Sequence, residues 1–465
     1  MRINSFYHFL VLFFISIITI HSSKVCFQPL TTNYFDYQYQ NFLFDIGKNW
    51  NELSIFNPIK IQKEDVGQDK SKTKLYLNSG LHFRDNNFNY YAHGQINFKN
   101  YYYAYLYPKI MLGRNLYKAR LNNNNSATVY NDSHGKEMSG LGFQNKWLTL
   151  QIARGNENWG SGNNINLALS NKSNFYDYLI LGSDYGRLRV RYIHGFLETI
   201  HDGINRYITA RGIEWTNKKF LLIGFSEIII YSGSKRHFDI GYLNPISSHL
   251  EVELNNRLNI NGDSYSNAVW QLHLDYFIKQ KVRLSLNLLF DEFVLDQDIQ
   301  SGKEHGAAYS LKTSYNIINF NQYIITTFFS IVKVGVPTFR HGMGTNNFVH
   351  AGRPLGWQNG SDSQEIVFGI NFFNSKNLLG LLSIGLLNSG EETILNRPYD
   401  PYKDYQKSKF PSGDNENSIG YNAEIHWKLQ PNLFLFFSLN KKQLVSDNIN
   451  DALILSSLGL DYRLK

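Results

Sequence analysis

The chain has 465 residues, with 46 Lys and Arg against 38 Asp and Glu, a formal charge of +8, one Cys, and 15% aromatic residues that include 31 Tyr and 33 Phe. Lone Cys26 excludes a disulfide framework and paired-cysteine metal or redox sites. Beyond the first twenty residues no apolar run reaches the ~18 residues of a spanning helix, and the dispersed charge forms no Lys/Arg block of the kind that binds nucleic acid.

The first residues read as a targeting segment. Arg2 precedes the apolar stretch Phe6 to Ile20, followed by His21-Ser22-Ser23, which is the pattern of a secretory signal peptide over residues 1–23. Ser23-Lys24-Val25 before Cys26 does not match a lipidation box. In residues 24–72, Phe35, Phe42 and Ile46 have near-helical spacing, with Asn33 as a cap and Gly47 as a stop. This region is expected to be a small periplasmic segment ahead of the first strand.

Residues 73–465 show period two. Phe88, Tyr90, Ile96 and Phe98 share one parity, while Asn89, His93 and Asn97 share the other. Tyr421, Ala423, Ile425, Trp427 and Leu429 likewise oppose Asn422, Glu424, His426 and Lys428. Alternation of this kind marks strands with one apolar face. About eighteen strands can be read, ending with 304–316, 318–334, 363–375, 377–388, 416–429, 431–444 and 452–464. The breaks alternate between tight turns, as at Asn100, Asn145, Asp184 and Asn217, and long loops at 113–137, 155–174, 232–265, 335–362 and 389–415. Short turns on one rim and long loops on the other are the pattern of an outer-membrane barrel. The expected fold class is therefore all-β, a transmembrane antiparallel β-barrel of about eighteen strands. An even strand number puts both termini in the periplasm of a Gram-negative cell, and the aromatic surplus suits interfacial girdles. In the loop 232–265, Asn244-Pro245 predicts the start of a helix carrying Ile246, Leu250 and Leu254 on one side, folding over or into the pore.

A catalytic centre is hard to find. Gly262-Asp263-Ser264 has the letters of a Gly-Asp-Ser hydrolase but lies in an Asn/Gly/Ser-rich turn. Asp291 and Glu292, neighbours on a strand, point to opposite faces and cannot act as a dyad. The 14 His are scattered without zinc-ligand spacing. The expectation is a protein without enzymatic activity, metal or cofactor. Arg187, Arg189 and Arg191 share one strand face; three cations cannot sit in hydrocarbon, so they should point into the lumen and find carboxylates there. Asp291, Glu424 or a plugging loop would supply these, and an acidic glycan is a further candidate.

The segment Arg154-Gly155-Asn156-Glu157-Asn158-Trp159-Gly160-Ser161-Gly162, followed by Leu167-Ala168-Leu169-Ser170-Asn171, resembles the Wzi capsule-assembly family of outer-membrane proteins. Leu243-Asn244-Pro245, Leu288 to Phe293, and Leu355-Gly356-Trp357 through Glu365 follow in family order. One departure is Ser161, where the family usually has Pro; the chain also ends in Leu464-Lys465 rather than in the aromatic residue common to barrel-assembly signals. The resemblance implies a barrel whose extracellular loops hold capsular or extracellular polysaccharide in a lectin-like role. On that reading Trp159 offers a ring face, Asn156, Glu157 and Asn158 pair with hydroxyls, and Arg154 takes an acidic sugar. The lipid bilayer, and the barrel-assembly machinery during insertion, are the other expected partners. Two other functions fit the same scaffold, a porin or sugar channel and a surface adhesion or motility component.

Overall fold

The computed structural model describes residues 54–56, 73–84, 87–99, 101–112, 138–145, 147–200, 203–255, 266–279, 281–292, 305–320, 322–374, 377–402, 410–444 and 452–464. The signal peptide, Gly262-Asp263-Ser264 and all of the 24–72 segment except Ser54–Phe56 fall outside these residues.

The first strands are β1 Lys74–Arg84, β2 Asn87–Phe98, β3 Tyr102–Tyr107, β4 Lys109–Leu112, β5 Met138–Gln144, β6 Leu148–Gly155 and β7 Tyr176–Asp184. The long central hairpins follow, β8 Leu188–Ile200, β9 Ile204–Thr216, β10 Leu221–Ser234, β11 Ser266–Ile278, β12 Val282–Glu292, β13 Gly306–Phe320 and β14 Tyr323–Val334. The last are β17 Ser363–Asn374, β18 Leu378–Ser389, β19 Glu416–Gln430, β20 Leu433–Leu444 and β21 Ala452–Leu464. A two-residue hairpin, β15 Val349–His350 with β16 Arg353–Pro354, forms its own small sheet in the loop after β14.

Each strand pairs antiparallel with its neighbour, and β1 closes on β21 with Leu77 opposite Leu464. β3 and β4 are one stave interrupted at Pro108, both lying along β2. The result is a closed antiparallel barrel of eighteen staves. Closure leaves no unpaired edge, which hydrocarbon requires.

The alternation read from sequence is an inside–outside alternation. On β2, Ile96 and Phe98 are exposed on the outer wall, while His93 and Asn97 are buried in the lumen. On β6, Leu150 and Ile152 face out while Gln151 and Ala153 face in. Short connections gather on one rim, at 99–101, 145–147, 185–187, 217–220, 279–281, 321–322, 375–377 and 431–432. Asn side chains build several of these turns. Asn145 Oδ1 accepts from the N–H groups of Trp147 and Leu148, and Asn217 Oδ1 from those of Lys219, Phe220 and Leu221. Tyr102, Trp147, Tyr185, Trp215, Phe220 and Tyr323 are exposed beside this rim as an aromatic girdle. Both β1 and β21 have their outer ends here.

Two local expectations are corrected. The turn expected at residue 317 lies at 321–322, because a bulge between Asn316 and Ile318 breaks the parity and leaves Ile317 and Ile318 both exposed. The helix expected to open at Asn244-Pro245 is instead a pair, α1 Ile240–Leu243 and α2 His249–Leu254. Asn244 ends α1 and uses its Oδ1 to accept from Ile246 N–H, and Ser248 Oγ accepts from Glu251 N–H in the first turn of α2. The pair also does not enter the pore: Tyr242 and Val252 pack with Tyr207, Ile229 and Tyr231, which lie on the outer wall.

Candidate functional site

The long loop after β6 turns inward. Asn156 Nδ2 donates to the carbonyls of Asn171 and Ser173, both at 3.0 Å, so the two ends of the loop are tied together. Trp159 is only 1% exposed, with its ring edge-on to Phe56 at 4.9 Å between centroids. Its Nε1–H donates to Glu157 Oε2 at 2.9 Å, and Arg191 Nε approaches the same oxygen at 3.4 Å. Burial pushes the Glu157 carboxyl up, and Arg191 and the indole N–H oppose that rise. Gly160 N–H donates to Ile55 O at 2.9 Å, so the tripeptide Ser54–Phe56 runs through the lumen beside the loop. Ser161 N–H donates to Asn287 Oδ1 at 2.8 Å and Asn287 Nδ2 donates back to Ser161 O at 2.9 Å, clamping the loop to the far wall at β12. Proline at position 161 would lack that N–H. This chain's serine therefore has a structural use of its own.

A second loop, 335–362, completes the plug. Trp357 N–H donates to Leu167 O and Ser170 N–H to Leu355 O, each at 2.9 Å. Arg206, fully buried on the inner face of β9, binds this loop by its backbone. Its guanidinium donates to the carbonyls of Thr345 (2.5 Å), Asn347 (2.6 Å) and Val349 (2.9 Å) and pairs with Glu198 at 2.5 Å. The Tyr399 ring of the third loop lies 5.3 Å from that guanidinium. Asp362 joins the second and third loops, accepting from Ser412 N–H at 3.0 Å, Glu392 N–H at 3.2 Å and the Ser412 hydroxyl. One hydrophobic cluster, including Phe56, Trp159, Leu167, Ile193, Ile230 and Trp357, fills the lumen between these loops and the wall.

The structure sorts the residues singled out from sequence. Arg189 and Arg191 point inward as expected, but their partners differ from Asp291 and Glu424. Arg189 pairs with Glu214 at 2.5 Å and with Asp184 at 3.2 Å, and Arg191 faces Glu157 of the plugging loop. Asp291 instead accepts from Phe339 N–H, and Glu424 faces His426. Arg187 departs from the expectation, lying exposed in the turn before β8 rather than on the lumenal face. Trp159 and Glu157 are buried within the plug and offer no face to a sugar in this conformation, because packing and the ion pair already use both groups. Asn158 is partly buried. Arg154 sits on the outer wall at the loop rim, exposed and paired with Asp177 at 2.9 Å.

Sequence reasoning missed Arg206, Glu214 and Asn287. A signal was available for Arg206, since it shares parity with lumenal Ile208 and Ala210 and an interior cation demands partners. Nothing local in the sequence pairs Asn287 with Ser161, 126 positions away.

No family model matches the chain, and no curated protein matches it. Among solved structures it is similar to Wzi of Escherichia coli, described as an outer membrane protein involved in group 1 capsule assembly and a carbohydrate-binding β-barrel. That match has 11% identity over 83% of this chain and 84% of that one, with a TM-score of 0.59. It is also similar to the outer membrane protein OprD of Pseudomonas aeruginosa, at 10% identity over 85% and 96%, TM-score 0.45. A BenF-like porin of Pseudomonas fluorescens matches at 8% identity over 84% and 98%, TM-score 0.45. The chain has the fold of an outer-membrane β-barrel.

Proposed function

We propose that the protein is a lectin-like outer-membrane barrel that holds capsular or extracellular polysaccharide at the surface of a Gram-negative cell, without catalysis. In this reading the long-loop rim faces outward and both termini are periplasmic, placed there by the barrel-assembly machinery. One observation carries it: an apolar, hydrogen-bonded plug occupies the lumen. A diffusion porin works through a water-filled lumen, whereas a surface anchor needs only a rigid platform for its loops. The fold likeness to a carbohydrate-binding barrel and the order of shared motifs support the same reading.

The roles of the candidate residues divide. Arg154 at the rim is the charged group left accessible to an acidic sugar. Glu157, Trp159 and Arg191 act by holding the loop in its inward fold, while Arg189 pairs with Glu214, which accepts from Ile55 N–H. A weak contact repeated over many barrels retains a long polymer through multivalency.

The test pairs two measurements on the full chain. Planar-bilayer recording should show no sustained open-channel conductance, and a deletion strain should release polymer into the medium, with Arg154→Ala releasing part of it at normal barrel levels. Steady porin-like conductance with full polymer retention in the deletion strain would overturn the reading in favour of a channel.

A further inference from the structure

On three neighbouring staves, β8, β9 and β10, the bare outer wall is too short for a membrane. Its exposed apolar side chains are Leu188 and Val190 on β8, Ile213 and Trp215 on β9, and Ile223 and Phe225 on β10. The next outward residues, Tyr192, Arg211 and Glu227, are covered by residues 238–255, which follow β10. With a rise of ~3.3 Å per residue and a tilt of ~40°, that bare band is about 10 Å tall against the ~25 Å of an outer-membrane barrel. Six staves on from β10, β18 keeps outward apolar residues from Leu378 to Leu386.

The covering segment fits what is missing. Its inner side is tied to the wall. Tyr192 O–H donates to Tyr242 O at 2.8 Å, an Arg211 guanidinium N–H donates to Asn244 O at 3.3 Å, and His249 N–H donates to Glu227 Oε1 at 3.1 Å. This roofs the Arg211–Glu227 pair (3.3 Å), a charge pair on the outward face that hydrocarbon would not tolerate uncovered. The outer side of the segment is dominated by large apolar side chains, with Ile246 88%, Ile240 74% and Leu250 52% exposed, beside Phe238 and Leu243, and with His237, Asn244 and Ser248 exposed among them. Around Ile246 the backbone suits an apolar setting, since Pro245 has no N–H and Ile246 N–H is bonded by Asn244 Oδ1.

We propose that this segment is a lipid-embedded clasp: its exposed face lies among acyl chains of the leaflet at the long-loop rim and completes the hydrophobic belt over β8–β10. The occupant is lipid because the face continues the lipid-facing band on the same staves. The inference does not depend on the glycan reading.

The test uses the full chain in a Cys26→Ser background, folded into phosphatidylcholine vesicles, with heat-modifiable gel mobility as the folding check. Ile246→Cys and Leu250→Cys each carry an environment-sensitive fluorophore, and Asn396→Cys on the exposed third loop is the control. The expected result for both clasp labels is blue-shifted emission, quenched by nitroxides on the acyl chains and insensitive to aqueous iodide, with the control behaving oppositely. Iodide quenching equal to that of Asn396→Cys would overturn the proposal. Shielding from both quenchers together with a cross-linked dimer would also overturn it, in favour of a second copy as the occupant.

Discussion

The indole N–H of Trp159 donates to the carboxylate of Glu157, two residues before it, and the pair lies inside the barrel with Arg191 closing on the same oxygen. A tryptophan placed in this way is a keystone for the loop. Its ring fills the lumen while its one polar atom helps to keep a buried carboxylate partnered.

Trp159→Ala should therefore cost about 3–5 kcal/mol through the cavity it leaves. It should also raise planar-bilayer conductance above that of the parent protein. Thermal unfolding and single-channel recording on the same preparation check this. An unchanged melting temperature with a silent bilayer would mean that the plug does not depend on this ring.

Arg206 holds the second loop through three backbone carbonyls and Glu198. Arg206→Met should destabilise by about 3–5 kcal/mol, because Glu198 is left in the interior without its counter-charge. Adding Glu198→Gln should recover part of that loss. Limited proteolysis within 335–362 reports the opening, expected to be fast in the single variant and slower in the double.

Depth along a strand sets the cost of a charge on the outer wall. Leu382 lies near the middle of β18, whereas Ile96 is two residues from the end of β2 at the short-turn rim. Leu382→Arg should cost about 2–4 kcal/mol and Ile96→Arg about 0–1. Denaturant unfolding in vesicles measures both, and equal costs would show that the girdle rim is misplaced.

Ser161→Pro removes the N–H that binds Asn287 Oδ1. The buried acceptor loses a bond, so a penalty of about 1–3 kcal/mol is expected, with Asn287→Ala giving a similar loss. Because both remove the same clamp, the double variant should cost less than the sum, which a double-mutant cycle reads directly.

The barrel itself was legible in the chain. Parity separated Ile96 and Phe98 from His93 and Asn97, and the long loops all fall on one rim, which β8–β9 crosses by a short connection. Both signals are local, since side chains on a strand alternate with period two and each turn is built by its own residues, as at Asn145 and Asn217. Where local parity breaks, as at the Asn316/Ile318 bulge, the reading slipped by several residues.

The lumenal filling was not legible, because it is made of contacts between residues far apart in the chain. Glu157 and Trp159 look like sugar ligands in an Asn/Gly-rich loop until Ser161 is seen to bond Asn287 and Ile55 to accept from Gly160. The same holds for the clasp. Ile246, Leu250 and Leu254 read as one side of a helix opening at Asn244-Pro245 over a pore, and only the outward direction of Tyr192, Arg211 and Glu227 shows which wall the segment covers. Sequence alone thus determined the inside–outside parity of strands such as β2 and β6, since hydrocarbon penalises each misplaced polar group individually. Tertiary structure decided what occupies the inside and which loop lies against the outside, since those depend on where closure of the barrel brings distant staves together.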